Sequence, residues 1–172
     1  MISKSKKKYF FIFLIFLSLD LFSKYLAQIF LSPIAGFSHN FPYGGIAVFQ
    51  GFLGGIDFSL GYLENPGAAF GMLRNYPSAL LILRSALVGI LVFWFFFKDQ
   101  ENHNPIAWVM ILSGALGNLV DMITHKAVID FLNFHFYGYA FPLFNLADSF
   151  ITIGAVLLIF SEIKSQLKAK KS

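Results

Sequence analysis

Long apolar runs separated by short polar stretches dominate the sequence. A helix needs about 20 mainly apolar residues to cross the roughly 30 Å of hydrocarbon in a bilayer. Four segments have this length and composition, and each is predicted to form a transmembrane helix: Tyr9 to Phe30, Ser78 to Phe97, Pro105 to Thr124 and Asn145 to Ile163. The pattern therefore predicts an all-α membrane protein with four transmembrane helices, organised as one domain over residues 1–172.

The first apolar run follows a cluster of lysines, as a cleavable signal peptide does. It is longer than the roughly 7–15 apolar residues of a signal peptide, and Asp20 and Lys24 lie inside its far end. No small-x-small cleavage site follows it. We therefore predict that the segment is retained as a helix.

Basic residues outside the apolar runs indicate the orientation of the chain. Lysines lie before the first run, between the second and third at Lys98, and after the fourth. Both termini are therefore predicted to be cytoplasmic, with residues 31–77 and 125–144 on the outer side. The net charge of +4 then reflects topology and contact with anionic lipids, and no nucleic-acid partner is expected.

The first outer segment is rich in Gly and Pro, which is typical of turns. Within it, Ile56 to Leu63 alternates between apolar and polar positions and predicts a strand. A small extracytoplasmic β-rich segment is therefore expected between helices 1 and 2. A Gly-rich stretch at residues 38–55 precedes the predicted strand.

Composition excludes several classes of protein and of site. Hydrophobic residues make up 57% and charged residues 13% of the chain, against about 45–50% and 25% in soluble domains. Because the chain has no Cys, disulfides, thiolate metal sites and a thiol nucleophile are excluded. The four His residues lack the paired spacing of a zinc protease, so neither a metal nor a cofactor is expected.

Four of the nine acidic residues are predicted at or just beyond the outer ends of the apolar runs: Asp20, Asp121, Asp130 and Asp148. An ionisable group at membrane depth costs several kcal/mol unless it is paired, which makes it a functional candidate. A structural alternative also exists for Asp20, because Lys24 is four residues away and can pair with it on one helix face.

The other three acids have structural alternatives too. The third run places four polar or small residues on one helical face: Gly114, Asn118, Asp121 and His125. Hydrogen bonds between helices would explain Asn118 and Asp121 without catalysis. Asn145 and Asp148 have the spacing of a helix capping box, and Asp130 could be an isolated loop acid.

Asp130 and Asp148 together suggest a catalytic pair. Two carboxylates that share a site do not easily both ionise, so one keeps a proton while the other acts as a base. The base would activate water and the acid would protonate the carbonyl or the leaving nitrogen of a peptide bond. The pattern thus favours peptide hydrolysis by an aspartic mechanism at the outer membrane face.

Several strings, in this order and spacing, resemble the lipoprotein signal peptidases, the type II signal peptidases of bacteria. They are LDLFSK at 19–24, ENPGAAFG at 64–71, GALGNLVD at 114–121, VIDF at 128–131 and FNLADS at 144–149. The resemblance implies a four-helix enzyme of the bacterial inner membrane that cuts diacylglyceryl-modified prolipoproteins just before the lipidated Cys. Its expected partners are these substrates and membrane lipids, and a monomer is expected.

The resemblance also implies roles for individual residues. Asp130 and Asp148 would be the catalytic pair. Seven further residues would bind substrate or support the site: Asn65, Gly67, Asn118, Asp121, Asn145, Asp20 and Lys24.

Two departures from the family pattern stand out. The family often has Arg directly after the Asp of the third-helix motif, whereas this chain has Met122. Lys126 and Arg84 are the candidates to replace that guanidinium. The stretch between Lys24 and Asn65 is also longer than usual, because of the Gly-rich insert at 38–55.

Two other classes of function compete with this interpretation of the sequence. A small membrane transporter or channel that relays protons or cations would use intramembrane acids, but it predicts polar residues through the full membrane depth. The cytoplasmic halves of all four predicted helices are almost purely apolar. A structural lipid-interacting protein would not require acids at a shared level.

Overall fold

The apolar runs form helices in the computed structural model, which describes residues 4–35, 45–66, 77–97 and 104–170. The helices within these ranges are α1 (Lys4–Phe30), α2 (Pro77–Phe97), α3 (Pro105–Thr124) and α4 (Leu146–Ala169), and a short 3-10 helix, Ser32–Ile34, follows α1. The predicted bounds of the third helix are confirmed. The first and fourth helices extend further toward the chain termini than predicted, because lysine-rich sequence continues the helix beyond the apolar run.

Three of the described helices are long and apolar enough to cross a bilayer. They comprise Lys7–Phe30 within α1, Pro105–Thr124 and Leu146–Ala169. The apolar part of α2, Ser78–Phe93, is shorter. The second predicted span is therefore confirmed as an apolar helix.

α3 is the central helix of the bundle. It packs against α1, α2 and α4. Of its apolar 18-residue stretch 56% is buried, against 17% for α1 and 11% for α4. Small residues allow the close approach of α3 and α4: a Cβ at Gly114 would overlap the carbonyl oxygen of Ala147, and one at Gly154 would meet that of Ala107. The outward faces of α1 and α4 carry exposed Phe, Leu and Ile side chains, as expected of surfaces in contact with lipid.

A four-stranded antiparallel sheet joins both segments that were predicted to lie on the outer side. Its strands are β1 (Ile46–Phe52), β2 (Ile56–Asn65), β3 (Val128–Phe136) and β4 (Tyr139–Ala140), in the order β1-β2-β3-β4. The strand predicted at Ile56 to Leu63 is confirmed and continues to Asn65. β3 and β4 come from the second outer segment, where no strand was predicted.

Part of the Gly-rich insert is ordered within this sheet. Residues 46–52 form β1, and residues 38–44 lie outside the described residues. The β3–β4 hairpin turns through Tyr137 and Gly138, both at positive φ of 48° and 83°, which is the geometry of a two-residue turn that matches strand twist.

The sheet packs on the ends of α1 and α3, which we call the sheet end of the bundle. A small apolar core fastens it there, formed by Ala27 and Leu31 of the α1 end with Ile129 and Phe131 of β3. α4 begins at this end, directly after the sheet. α2 also begins there, because it is joined to its packing neighbour α3 by a short connection and must run antiparallel to it.

Candidate active site

Lys24 lies at the centre of a buried polar network at the sheet end. Its Nζ is 2.8 Å from Asp20 Oδ2 and 2.9 Å from Asp121 Oδ2. It also donates a hydrogen bond of 2.9 Å to Asn118 Oδ1. Since an ammonium group has three hydrogens, these three acceptors occupy all of them. The predicted Asp20–Lys24 ion pair is confirmed, and Lys24 is only 1% exposed.

The two carboxylates beside Lys24 also hold backbone groups of other elements. Asp20 Oδ1 accepts a 2.8 Å hydrogen bond from the Ala147 backbone N–H, in the first turn of α4. Asp121 Oδ2 accepts one of 3.2 Å from the Ile129 backbone N–H on β3. A carboxylate near a helix N-terminus or a strand end satisfies donors that would otherwise be buried without partners. Asp20 and Asp121 therefore fix the segments that carry Asp148 and Asp130.

Gly117 makes the contact between α1 and α3 possible. A Cβ at this position would overlap Asp20 Oδ2. The sequence motif contained Gly117, but its role was not predicted, because only the packing of α1 against α3 shows that a side chain has no room there.

Asn118 links Lys24 to Asp148 through two hydrogen bonds. Because Asn118 Oδ1 accepts hydrogen bonds from Lys24 and, at 3.3 Å, from Asn145 Nδ2, its amide nitrogen must point the other way. That nitrogen donates a 2.8 Å hydrogen bond to Asp148 Oδ1. The face shared by Asn118 and Asp121 thus serves both helix packing and the carboxylate of α4.

Asn145 is the residue that contacts both candidate catalytic acids. Its side-chain oxygen caps α4 by accepting from the Asp148 backbone N–H at 2.9 Å, and its own N–H donates to Asp148 Oδ2 at 3.4 Å. The predicted capping box is confirmed. The Asn145 amide nitrogen donates at 2.8 Å to Asp130 Oδ1 and at 3.2 Å to the Ile129 carbonyl oxygen. The motif therefore caps α4 and at the same time lies in contact with both candidate catalytic acids.

Asp130 lies within β3 rather than in a loop. It pairs across the sheet with Leu63, and its Oδ2 accepts a 3.2 Å hydrogen bond from Asn65 Nδ2. The residue is 2% exposed. An isolated loop acid would have neither this burial nor these amide donors, so that structural alternative was wrong.

Burial raises the pKa of Asp130 to about 7, because removal from water disfavours the charged form, and the nearby Asp148 carboxylate adds to the effect. Hydrogen bonds from Asn65 and Asn145 and the charge of Lys24 act in the opposite direction. Asp130 is thus suited to keep a proton near neutral pH.

Most of the predicted supporting residues converge on this network. Asn65, Asn118, Asp121, Asn145, Asp20 and Lys24 all contribute to it. Gly67 lies outside the described residues. His125 ends the predicted polar face of α3 but is exposed, with its Nδ1 2.8 Å from Thr124 Oγ1.

The two candidates to replace the missing Arg differ in their surroundings. Met122 itself is buried. Lys126 is exposed, and its Nζ donates to the Ile123 carbonyl oxygen at 3.3 Å. Arg84 of α2 instead interacts electrostatically with both Asp148 and Asp130.

Comparisons with known proteins agree with the motifs in the sequence. A family model described as Signal peptidase (SPase) II matches residues 12–164. The lipoprotein signal peptidase of Thermodesulfovibrio yellowstonii is 38% identical over 153 residues, which is 89% of this chain and 92% of that protein. The lipoprotein signal peptidase of Caldanaerobacter subterraneus is 42% identical over 141 residues, covering 81% and 85%.

The fold also resembles that of a solved protein. A bacterial membrane enzyme determined by the in meso method at 1.9 Å resolution superposes with a TM-score of 0.72 and 27% identity. The superposition covers 92% of this chain and 94% of that one.

Proposed function

The chain belongs to the signal peptidase II family, and we propose that it removes signal peptides from diacylglyceryl-modified bacterial prolipoproteins by cutting just before the lipidated Cys. The observation that carries the proposal is the pair formed by Asp130, which is buried, and Asp148, which is half-buried, bridged by Asn145. Each carboxylate is held by amide donors from other parts of the fold.

In the proposed reaction Asp148 is the base and Asp130 the acid. The Asp148 carboxylate removes a proton from water while the new hydroxyl oxygen bonds to the scissile carbonyl carbon. Asp130 gives its proton to the carbonyl oxygen, so a neutral tetrahedral diol forms. Asp148 then protonates the leaving nitrogen, Asp130 takes back a hydroxyl proton, and the C–N bond breaks. Both acids end in their starting states.

This assignment follows from the environments of the two acids. Asp130 has a pKa of about 7 because it is buried beside another carboxylate. Asp148 lies in the first turn of α4, where the helix dipole favours a negative charge. It also accepts the short hydrogen bond from Asn118, whose orientation Lys24 fixes.

We further propose that all four helices cross the bacterial inner membrane, with both termini cytoplasmic and the sheet end at the extracytoplasmic face. The distribution of lysines and the apolar sequence of α2 support this arrangement. The polar network lies at one end of the bundle, where an acylated substrate held in the bilayer would present its scissile bond. We propose a monomer in contact with membrane lipids.

The test is cleavage of a lipidated prolipoprotein by the purified protein in detergent. Asp130→Asn and Asp148→Asn should each lower the rate by about 10²–10⁴-fold, the usual contribution of a general acid or base. Asp57→Asn on β2 and Glu162→Gln on α4 are matched controls, because both acids lie away from the network. Near-normal cleavage by either site variant would rule out the assignment of the pair.

A further inference from the structure

Arg84 is the only charged residue in α2, whose 21 residues are otherwise almost entirely apolar. A guanidinium in such an apolar helix costs free energy unless it interacts with a specific partner. The residue lies about two turns into the helix, so in a membrane-spanning α2 it lies below the surface of the bilayer.

The geometry of α2 directs this side chain toward the catalytic pair. Side chains on a helix lean toward its N-terminus, and α2 begins at the sheet end. Arg84 Nη1 is fully buried, although α2 presents most of its neighbouring side chains to the outside. Its charge interacts with the carboxyl group of Asp148 and, less strongly, with that of Asp130.

Among the described residues at the sheet end, carboxyl groups outnumber the positive charges that contact them, which indicates a role for the charge of Arg84. Four carboxyl groups lie in the network, on α1, α3, β3 and α4: Asp20, Asp121, Asp130 and Asp148. Lys24 uses all three of its hydrogens on Asp20, Asp121 and Asn118. It acts on the catalytic pair only from a distance or through Asn118. Lys24 therefore makes no direct ion pair with Asp130 or Asp148, and the negative charge of a singly ionised pair is stabilised if a further cation lies near it.

We propose that Arg84 is the counter-ion of the Asp130–Asp148 pair and holds it in the singly ionised state. The inference rests on the proposed function of the two aspartates. It makes Arg84 a positioning residue, which acts through the carboxylates. The positive charge of Arg84 stabilises the carboxylate that activates water, in a half-buried setting where charge interactions are screened less than in bulk water.

The decisive experiment compares pH–rate profiles of the purified enzyme with lipidated prolipoprotein. Loss of the guanidinium in Arg84→Met should move both limbs of the profile to higher pH by about 1 unit or more, the usual effect of an opposite charge close to a carboxylate. Arg84→Lys keeps the charge and should keep the wild-type profile. Lys126→Met removes an exposed positive charge at the same end and should leave the profile unchanged, because water screens that charge.

A second measurement covers the case in which Arg84→Met is inactive. Asp carboxyl carbons are labelled with ¹³C and titrated by NMR in the folded protein, with thermal unfolding as a check of structure. The Asp130 signal should titrate at higher pH in Arg84→Met than in wild type. Unshifted carboxyl titration, or equal shifts in the Met and Lys variants, would overturn the proposal. Retention of activity by Asp130→Asn would instead defeat the proposed function itself.

Discussion

The start of β3 and the start of α4 each supply one aspartate to the same site, but they hold it differently. Asp148 is bound by the first turn of its own helix and by Asn118, which Lys24 orients. Asp130 is bound by the neutral amide groups of Asn65 and Asn145. The α4 side favours a negative charge, whereas the β3 side favours a proton.

The difference gives a physical reason for the opposite roles that we propose for two identical side chains. A helix N-terminus, and a lysine that acts through Asn118, lower the free-energy cost of an ionised carboxylate. Burial in a strand between neutral amides leaves that cost largely uncompensated, so the acid retains its proton. Three predictions follow from the contrast, in order of decreasing effect.

Removal of Lys24 should have the largest effect, because it removes the ion pairs of Asp20 and Asp121 and also the donor that orients Asn118 toward Asp148. In Lys24→Met, Asp20 and Asp121 lose their buried ion pairs, and Asn118 loses its orienting donor. Breaking a buried pair costs about 3–5 kcal/mol of unfolding free energy. Thermal unfolding in detergent measures this loss, with Lys164→Met on the exposed end of α4 as the control. Equal stability of the two variants would contradict the central role of Lys24.

The two asparagines that serve one aspartate each should differ in importance. Asn118 donates at 2.8 Å to Asp148, whereas Asn65 donates at 3.2 Å to Asp130. Hydrogen bonds to charged groups contribute about 1.5–3 kcal/mol and those to neutral groups about 0.5–1.5 kcal/mol. Asn118→Ala should therefore lower kcat/KM by about 10–100-fold and Asn65→Ala by about 2–10-fold. The reverse order would exchange the protonation roles of the two acids.

The pH dependence of kcat/KM should reflect the ionisation of Asp130. Because its pKa is raised from 3.8 to about 7, kcat/KM should fall as pH rises above about 7, when the acid loses its proton. The same shift contributes stability that is fully present below about pH 4 and is lost as pH rises through about 7. In Asp148→Asn the neighbouring charge is removed, so the Asp130 carboxyl should titrate at lower pH. NMR titration checks this in the inactive variant, and an unchanged midpoint would show that Asp148 does not act on Asp130.

The helices could be predicted from sequence more completely than the sheet. Apolar length alone places Pro105–Thr124 correctly, because the bilayer imposes a length on each helix. β3 was not predicted, since Val128–Phe136 carries apolar residues on both faces and lacks the alternation of a half-exposed strand. Its pairing with β2 joins residues far apart in the chain, which no local pattern reveals.

The same limit, that local sequence patterns do not reveal contacts between distant residues, applies to the candidate site. The convergence of acids could be predicted because helix ends lie at a common level, and the Asp20–Lys24 pair follows from spacing. The bonds from Asp20 to the Ala147 N–H and from Asp121 to the Ile129 N–H could not. They use backbone donors, which every residue carries, so side-chain identity gives no signal for them.

The pairing of β2 with β3 has a consequence for biogenesis. The two strands are hydrogen bonded from Ile56–Phe136 to Asn65–Val128, and α2 and α3 lie between them in the chain. If α2 and α3 cross the membrane as proposed, the sheet can close only after both helices have been inserted and the segment after α3 has reached the same side as β2. Asn65 meets Asp130 only at that moment. In the proposed topology the sheet makes assembly of the proposed catalytic pair depend on correct insertion, so a nascent or misinserted chain would lack its proposed general acid.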